Sequence, residues 1–405
     1  MTDPGIQLRA ATAADFDALT QLFGAAMMFD PTTDEVGREL FEPERALAAE
    51  LGGGIVGTAK VLTRDLSVPG AVIPAAHVTG VGVRATHRRR GILSALMAEQ
   101  LRTVPEPVAV LWASEAGIYG RFGYAPAAFG VSYEADLRRV APQPPPQDSG
   151  TLEELAADDA GSALDPLLRR LQQLRPGVSS RSELRWRHRL LDPAEQRGGK
   201  SARRILVHRD RSGALDGYAL WRAKFDWSAA GPASEVELEE LVAPDPSAYR
   251  ALWQHLLTLD LTAKLRYGHA AVDEPVLQYL GNPVALQRRI GESVWVRITD
   301  VARALSQRRY AVQVDVVLEL DDSLIPGNAG RYRLTGDLEQ ARCVPTDDPA
   351  DLSLSVTELA AVYLGGRPLA EFAATGRVVE QRPGALAAAG AAFGWPVAPA
   401  PQEVF

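Results

Sequence analysis

The chain has 405 residues, 46% of them hydrophobic and 23% charged, so two or three globular domains are expected, each with its own core. A formal charge of −8, from 51 acidic and 43 basic residues, excludes bulk nucleic-acid binding through Lys and Arg. The only cysteine is Cys343 and the six histidines lack any metal-ligand spacing, which excludes an internal disulfide and leaves no metal expected.

The N-terminal "MTDPGIQLRA" has neither the basic nor the apolar region of a signal peptide. No run of roughly eighteen apolar residues exists to span a bilayer, so a cytoplasmic protein without a membrane span is expected. In chain order, "DFDALTQLFGAAM" reads as a helix with Phe16, Leu19, Leu22 and Phe23 on one face. The triplet "GGG" at 52–54 precedes a strand rather than a helix, which makes it a hairpin turn. "GGGIVGTAKVLTRDLSVPG" and "AVIPAAHVTGVGV" are strands bounded by Gly and Pro. A helix from Gly91 puts Ile92, Leu93, Leu96, Met97 and Leu101 on one side. "VAVLWAS", the helical turn "EAGIYGRFG" and a strand near "VSYEADL" complete an α+β segment over 1–138, with helices on a mainly antiparallel sheet.

"RRVAPQPPPQDSG" then reads as an exposed, extended linker, 139–150. In 151–290, "ELVAPDPSAYRALWQHLL" repeats the strand, polar loop and amphipathic helix of "VGVRATHRRRGILSALM", without the arginines and the glycine. Duplication explains this, and so does coincidence, because strand–loop–helix units are common. Residues 291–405 read as a smaller α+β domain that ends in the extended tail "PVAPAPQEVF".

The densest chemistry lies in "VGVRATHRRRGILSALMAEQL". A helix N-terminus carries unpaired N–H groups and partial positive charge, and anions bind there. Gly91 lets a ligand approach the backbone, and Arg88, Arg89 and Arg90 add permanent forked cations suited to phosphate oxygens. The stretch is neither a Walker loop nor a G-x-G-x-x-G fingerprint. The alternative reading is a basic, solvated start to a helix.

This strand, loop and helix, followed by "VLWASEAGIYGRFGY", resembles the acetyl-CoA-binding region of GCN5-related N-acetyltransferases (GNAT). "THRRRGIL" and "ASEAGIYGRFGYAPA" are similar to the enhanced intracellular survival (Eis) family. The resemblance implies two tandem GNAT folds, the second degenerate, and then a sterol-carrier-protein-like domain. It implies acetyl-CoA-dependent acetylation of amines on aminoglycoside-like small molecules or lysine-bearing peptides, and a homohexamer.

Residue by residue, it places the pantetheine arm on Val81, Gly82 and Val83. The pyrophosphate falls on Arg88, Arg89, Arg90, Gly91, Ile92, Leu93 and Ser94, and further cofactor contacts on Ser114 and Glu115. Leu93 departs from the superfamily, where a small residue is usual. The general acid becomes Tyr119, with Tyr124 as rival; a phenol of pKa about 10 donates well to a thiolate. The general base becomes the terminal carboxylate of Phe405, although a frayed terminus is the ordinary expectation for such a tail. Phe29, Asp30, Asp34, Glu35 and Glu403 are candidates for drawing in a cationic amine; each acid reads equally as a solvated surface group. Two other readings remain open: a lipid- or sterol-binding carrier built on the third segment, and a non-catalytic scaffold.

Overall fold

The computed structural model describes residues 5–143, 150–157 and 160–405. The chain forms two compact units, Met1–Ala128 with Ser293–Pro396 and Phe405, and Phe129–Glu292 with Val397–Val404.

In the first unit, β1 (Gln7–Ala10), β2 (Ala46–Leu51), β3 (Gly54–Val68), β4 (Ala71–Val83), β5 (Val108–Trp112) and β6 (Ala125–Pro126) build a sheet completed by β16 (Val294–Ile298). Its order is β1-β2-β3-β4-β5-β16-β6, antiparallel except between β4 and β5. Alternation sends the residues of β4 to opposite faces. Ala76 and Val78 pack with Met97 and Leu101 of α3 (Ile92–Thr103), whereas Ile73 and Ala75 join the core on the other face. A bulge interrupts this pattern between Thr58 and Lys60 of β3, opposite Gly80 (φ 59°), where a Cβ would lie 2.1 Å from Cε of Lys60. Beyond the bulge Gly82 lies against Leu22, Phe23 and Ala26 of α1 (Phe16–Met27).

The core on that other face is shared with the C-terminal segment. There β17 (Val314–Asp321), β18 (Gly330–Gly336), β19 (Ala341–Pro345), β20 (Leu352–Ser355) and β21 (Val378–Glu380) form a sheet in the order β19-β18-β17-β20-β21. The helices α8 (Val301–Gln307), α9 (Val356–Val362), α10 (Leu369–Ala373) and α11 (Ala385–Phe393) accompany it. Tyr310, Tyr363 and Phe393 fill its interior around Arg308, whose guanidinium donates to the carbonyls of Tyr363 (2.6 Å) and Phe393 (2.9 Å).

The second unit contains β7 (Phe129–Asp136), β8 (Thr151–Leu155), β9 (Arg204–Arg209), β10 (Leu215–Lys224), the short hairpin β11 (Trp227–Ser228) and β12 (Gly231–Pro232), β13 (Ser234–Val242), β14 (Thr262–Ala271) and β15 (Arg289–Glu292). Its sheet runs β15-β7-β14-β13-β10-β9-β8, with β13 and β14 parallel and joined through α7 (Pro246–Leu257). Helices α5 (Ala160–Leu174) and α6 (Glu183–Leu190) pack on the face bearing Tyr218 and Val242.

The architecture is α+β throughout, and the strands read in the sequence form. Two of them join sheets other than those their position suggests. "VSYEADL" falls in β7, which pairs with β14 and β15, and "SVWVRI" falls in β16, which pairs with β5 and β6. The linker also differs from expectation. Val140 is fully buried in the second unit's core, Pro142 bridges Leu280, and Gln143 N–H donates to the Tyr279 carbonyl, although Arg139, Ala141 and Gln143 are exposed as expected. The proline run, within 144–149, lies outside the described residues.

Candidate active site

The parallel pairing of β4 and β5 covers only Ala76↔Ala109 and His77↔Val110. Past His77 the strands part. Each is still held on its outer side, β4 by β3 through Val83 and β5 by β16 through Trp112. The gap leaves a stretch of β4 backbone, including Val81, Gly82 and Val83, without a strand partner on that edge. Backbone N–H and C=O groups demand partners, so such an edge is a template for an extended ligand.

Beyond Val83 the chain makes a short turn and enters α3. Arg89 (φ 64°) and Gly91 (φ 80°) are both in the left-handed region. No side-chain cap hydrogen bond is made at the start of α3, and a helix start without one is a place where an anion can bind. Arg88, Arg89 and Arg90 are exposed around it, and Arg88 spends one donor on the Ala26 carbonyl at 3.0 Å. Ile92 anchors the turn in the core, and Leu93 is partly buried against Tyr119's cluster, so the large residue fits where the wider superfamily has a small one.

The matching place in the second unit is built differently. At the start of α7, Asp245 accepts from Ser247 N–H at 2.8 Å and Pro246 occupies the first turn. That carboxylate fills the anion position, and the loop carries no arginine. Only the first copy retains an open cradle.

Tyr119 ends α4 (Ala116–Tyr119) on the α3 face of the first sheet and is 6% exposed. Burial raises its pKa, a hydrogen bond with Ser114 opposes the rise, and the charge of Glu115 adds to it. Ser114, Glu115 and Tyr119 are therefore brought together. Tyr124, with its ring 6.1 Å away, is completely buried, and burial drives its pKa far up. Tyr119 keeps a small exposure, whereas Tyr124 keeps none.

Phe405 lies on the opposite face of the same sheet. Its ring centroid is 4.6 Å from the His77 ring and 5.9 Å from the Arg64 guanidinium, and Thr79 Oγ1 donates to a Phe405 carboxyl oxygen at 3.1 Å. His77 is the last paired residue before β4 and β5 diverge; its Nδ1 donates to the Ala75 carbonyl at 3.0 Å, which fixes the ring under Phe405. The gap thus has a phenol on one face and a carboxylate on the other. Thr79, His77 and Arg64 were not legible as site residues, since their partner is more than three hundred positions away.

The other acids are less concentrated. Phe29, half-exposed, packs edge-on against Phe23 at 5.8 Å. Asp30 and Glu35 are exposed, while Asp34 caps α2 (Glu35–Glu39) by accepting from Gly37 N–H at 2.7 Å. Glu403 is engaged by Arg181 at 2.7 Å within the second unit, so its charge is already countered. Among the described residues no cluster of His, Cys, Asp and Glu suits a metal, and no helix is long and apolar enough to cross a membrane.

Comparison with known proteins agrees with this layout. Residues 7–127 and 177–298 each match a family model described as an acetyltransferase (GNAT) domain, and residues 301–401 match a sterol carrier protein domain. An uncharacterized N-acetyltransferase of Streptomyces avermitilis is 41% identical over 95% of both chains. The N-acetyltransferase Eis of Mycobacterium tuberculosis is 31% identical over 92% of this chain and 93% of its own. The crystal structure of Eis1 from Mycobacterium abscessus superposes with a TM-score of 0.84 at 34% identity, covering 98% of this chain and all of that one. With two GNAT domains, a sterol-carrier-like domain and full-length kinship to Eis, the chain belongs to the Eis-type N-acetyltransferases.

Proposed function

We propose that the enzyme transfers an acetyl group from acetyl-CoA to primary amines of aminoglycoside-like molecules or lysine-bearing peptides, in one direct step. One observation carries this reading. The opening between β4 and β5 has an uncapped, arginine-flanked helix start at one end, Tyr119 on one face and Phe405 on the other.

The residues divide the work as follows. Val81, Gly82 and Val83 hold the pantetheine as an added strand, and Arg88 to Ser94 receive the diphosphate. The Phe405 carboxylate attracts an ammonium, takes its proton, directly or through water, and frees the nitrogen lone pair for attack on the thioester carbonyl. A C–N bond forms as the C–S bond breaks, Tyr119 delivers a proton to the departing sulfur, and the second proton shed by the new amide nitrogen passes through water to restore the phenol. Asp30 and Glu35, with Phe29, draw cationic substrates toward the site. Ser114 orients the phenol through the hydrogen bond that holds it. The same reading carries a homohexamer, as the Eis resemblance implies.

A thiol-release assay with acetyl-CoA against aminoglycosides, polyamines and lysine peptides tests it. Turnover with at least one amine class is expected. Absence of turnover with all of them, together with no calorimetric binding of acetyl-CoA, leaves the carrier and scaffold readings in place.

A further inference from the structure

The terminal carboxylate sits at the end of a peptide that is bound along its length inside the second unit. Ala398 N–H donates to Asp273 Oδ2 at 2.9 Å, and its carbonyl accepts from Arg175 Nη1 at 2.7 Å. Arg175 also meets Asp273 at 2.6 Å, and Ala400 N–H donates to the Pro176 carbonyl at 2.9 Å. Ala400 and Gln402 are buried.

The last anchor is ionic. Arg181 donates through Nη1 and Nη2 to both oxygens of Glu240, at 2.8 and 2.7 Å, and through Nε to Glu403 at 3.0 Å. The side chains of Arg181 and Glu240 are 1% and 0% exposed, so water does not compete. Tyr218 donates to Glu240 at 2.5 Å, Arg189 approaches it at 3.4 Å, and the Arg181 guanidinium lies 4.6 Å from the Trp186 ring centroid. Glu240 stands on β13 just beyond Leu238↔Tyr267, the last pair before β13 leaves β14. The degenerate copy therefore keeps a strand divergence like that of the first copy, and a buried cation there faces the tail.

We infer that Arg181 and Glu403 form a positioning pair for the catalytic carboxylate. Only Val404 separates Glu403 from Phe405, so the grip on Glu403 limits the volume the terminal carboxylate explores. A general base displaced by about 1 Å loses on the order of 100-fold in rate. This rests on Phe405 serving as the base. Glu403 is in this view a tether and not an attractor of substrate.

The experiment uses the full chain with Glu403→Ala and Glu403→Gln, which leave the buried Arg181–Glu240 pair intact. Three quantities are measured: kcat and KM for the amine, calorimetric affinity for acetyl-CoA, and the rate at which a carboxypeptidase releases the terminal Phe. Expected for Glu403→Ala is a fall in kcat of roughly 10- to 100-fold, with unchanged acetyl-CoA affinity and faster Phe release. Glu403→Gln retains a neutral hydrogen bond and should fall between. Wild-type kcat with wild-type Phe release overturns the inference. So does a rise in KM alone with unchanged release, which makes Glu403 a substrate contact. A chain ending at Val404 separates the two levels. If it retains full turnover, the base assignment fails and the positioning role with it. If it is inactive while Glu403→Ala is unimpaired, only the tether fails.

Discussion

At the scale of single residues, Tyr119 shows how its surroundings hold a protonation state. Tyr119 is buried beside Glu115, and both effects keep its proton on. Tyr119→Phe should therefore lower kcat by about 10²–10⁴-fold while leaving acetyl-CoA affinity unchanged. Steady-state kinetics beside calorimetry checks it, and unimpaired turnover removes Tyr119 as the acid. The sign of the pH effect follows from the raised folded-state pKa. The phenol's contribution to stability is complete below the unfolded value, about 10, and is lost as pH rises through the folded one. The alkaline limb of the kcat profile should accordingly lie above pH ~10, and Tyr119→Phe should erase it. Gly91 makes a second test. At φ 80° any Cβ is strained, by about 1–2 kcal/mol, and Gly91→Glu also sets a negative charge at the anion site. Acetyl-CoA affinity should drop at least tenfold by calorimetry. The turn into α3 was readable in advance because Arg88 to Ser94 are contiguous: local residue types dictate a local turn. The contacts of Thr79 and His77 were not, because their partner is a ring and a carboxylate brought from the far end of the chain.

At the scale of elements, the two GNAT copies illustrate how one supersecondary unit is kept or retired. In both, a parallel strand pair opens after a short stretch of pairing. The helix start decides what the opening does. The N-terminus of α3 has no side-chain cap, whereas that of α7 is capped by its own Asp245, whose carboxyl is held below the usual range by Ser247. Asp245→Ala should cost about 0.5–2 kcal/mol of stability in denaturant unfolding and leave acetylation unchanged. A loss of activity at constant stability would assign α7 a part in catalysis. Strand and helix identities were legible here because periodicity is a local property. Which sheet a strand joins is not. Nothing in "VSYEADL" or "SVWVRI" distinguishes one antiparallel neighbour from another, and the structure places both away from their sequence neighbours.

At the scale of the whole molecule, the first unit is a single cooperative body made of distant segments. Its largest core joins Leu66 and Val110 of the N-terminal sheet to Leu318, Leu359 and Phe393 of the sterol-carrier-like part. An ion pair closes the same junction. Arg297 on β16 donates from Nη2 to both oxygens of Asp322, at 2.8 and 2.7 Å, with side chains 0% and 2% exposed. Asp322 also accepts from Asn328 at 3.0 Å. Asp322→Ala would strand a buried guanidinium and should destabilise the unit by about 3–5 kcal/mol, read as a lowered midpoint of chemical unfolding shared by fluorescence and activity. Loss of activity well before the fluorescence transition would show that the two parts unfold separately. Within the sterol-carrier-like part, Arg308 and the rings of Tyr310, Tyr363 and Phe393 are all buried, and Arg308 donates to the Tyr363 carbonyl.

The placement of β16 also bears on how the protein is made. Its sequence follows the entire second sheet, yet it lies between β5 and β6. During synthesis β5 therefore waits with a bare hydrogen-bonding edge until the ribosome has passed residue 298. An unpaired edge of Val and Ala is prone to wrong partners in that interval. Chains arrested or cleaved before that point are expected to aggregate and to require chaperone protection, however complete their acetyl-CoA loop.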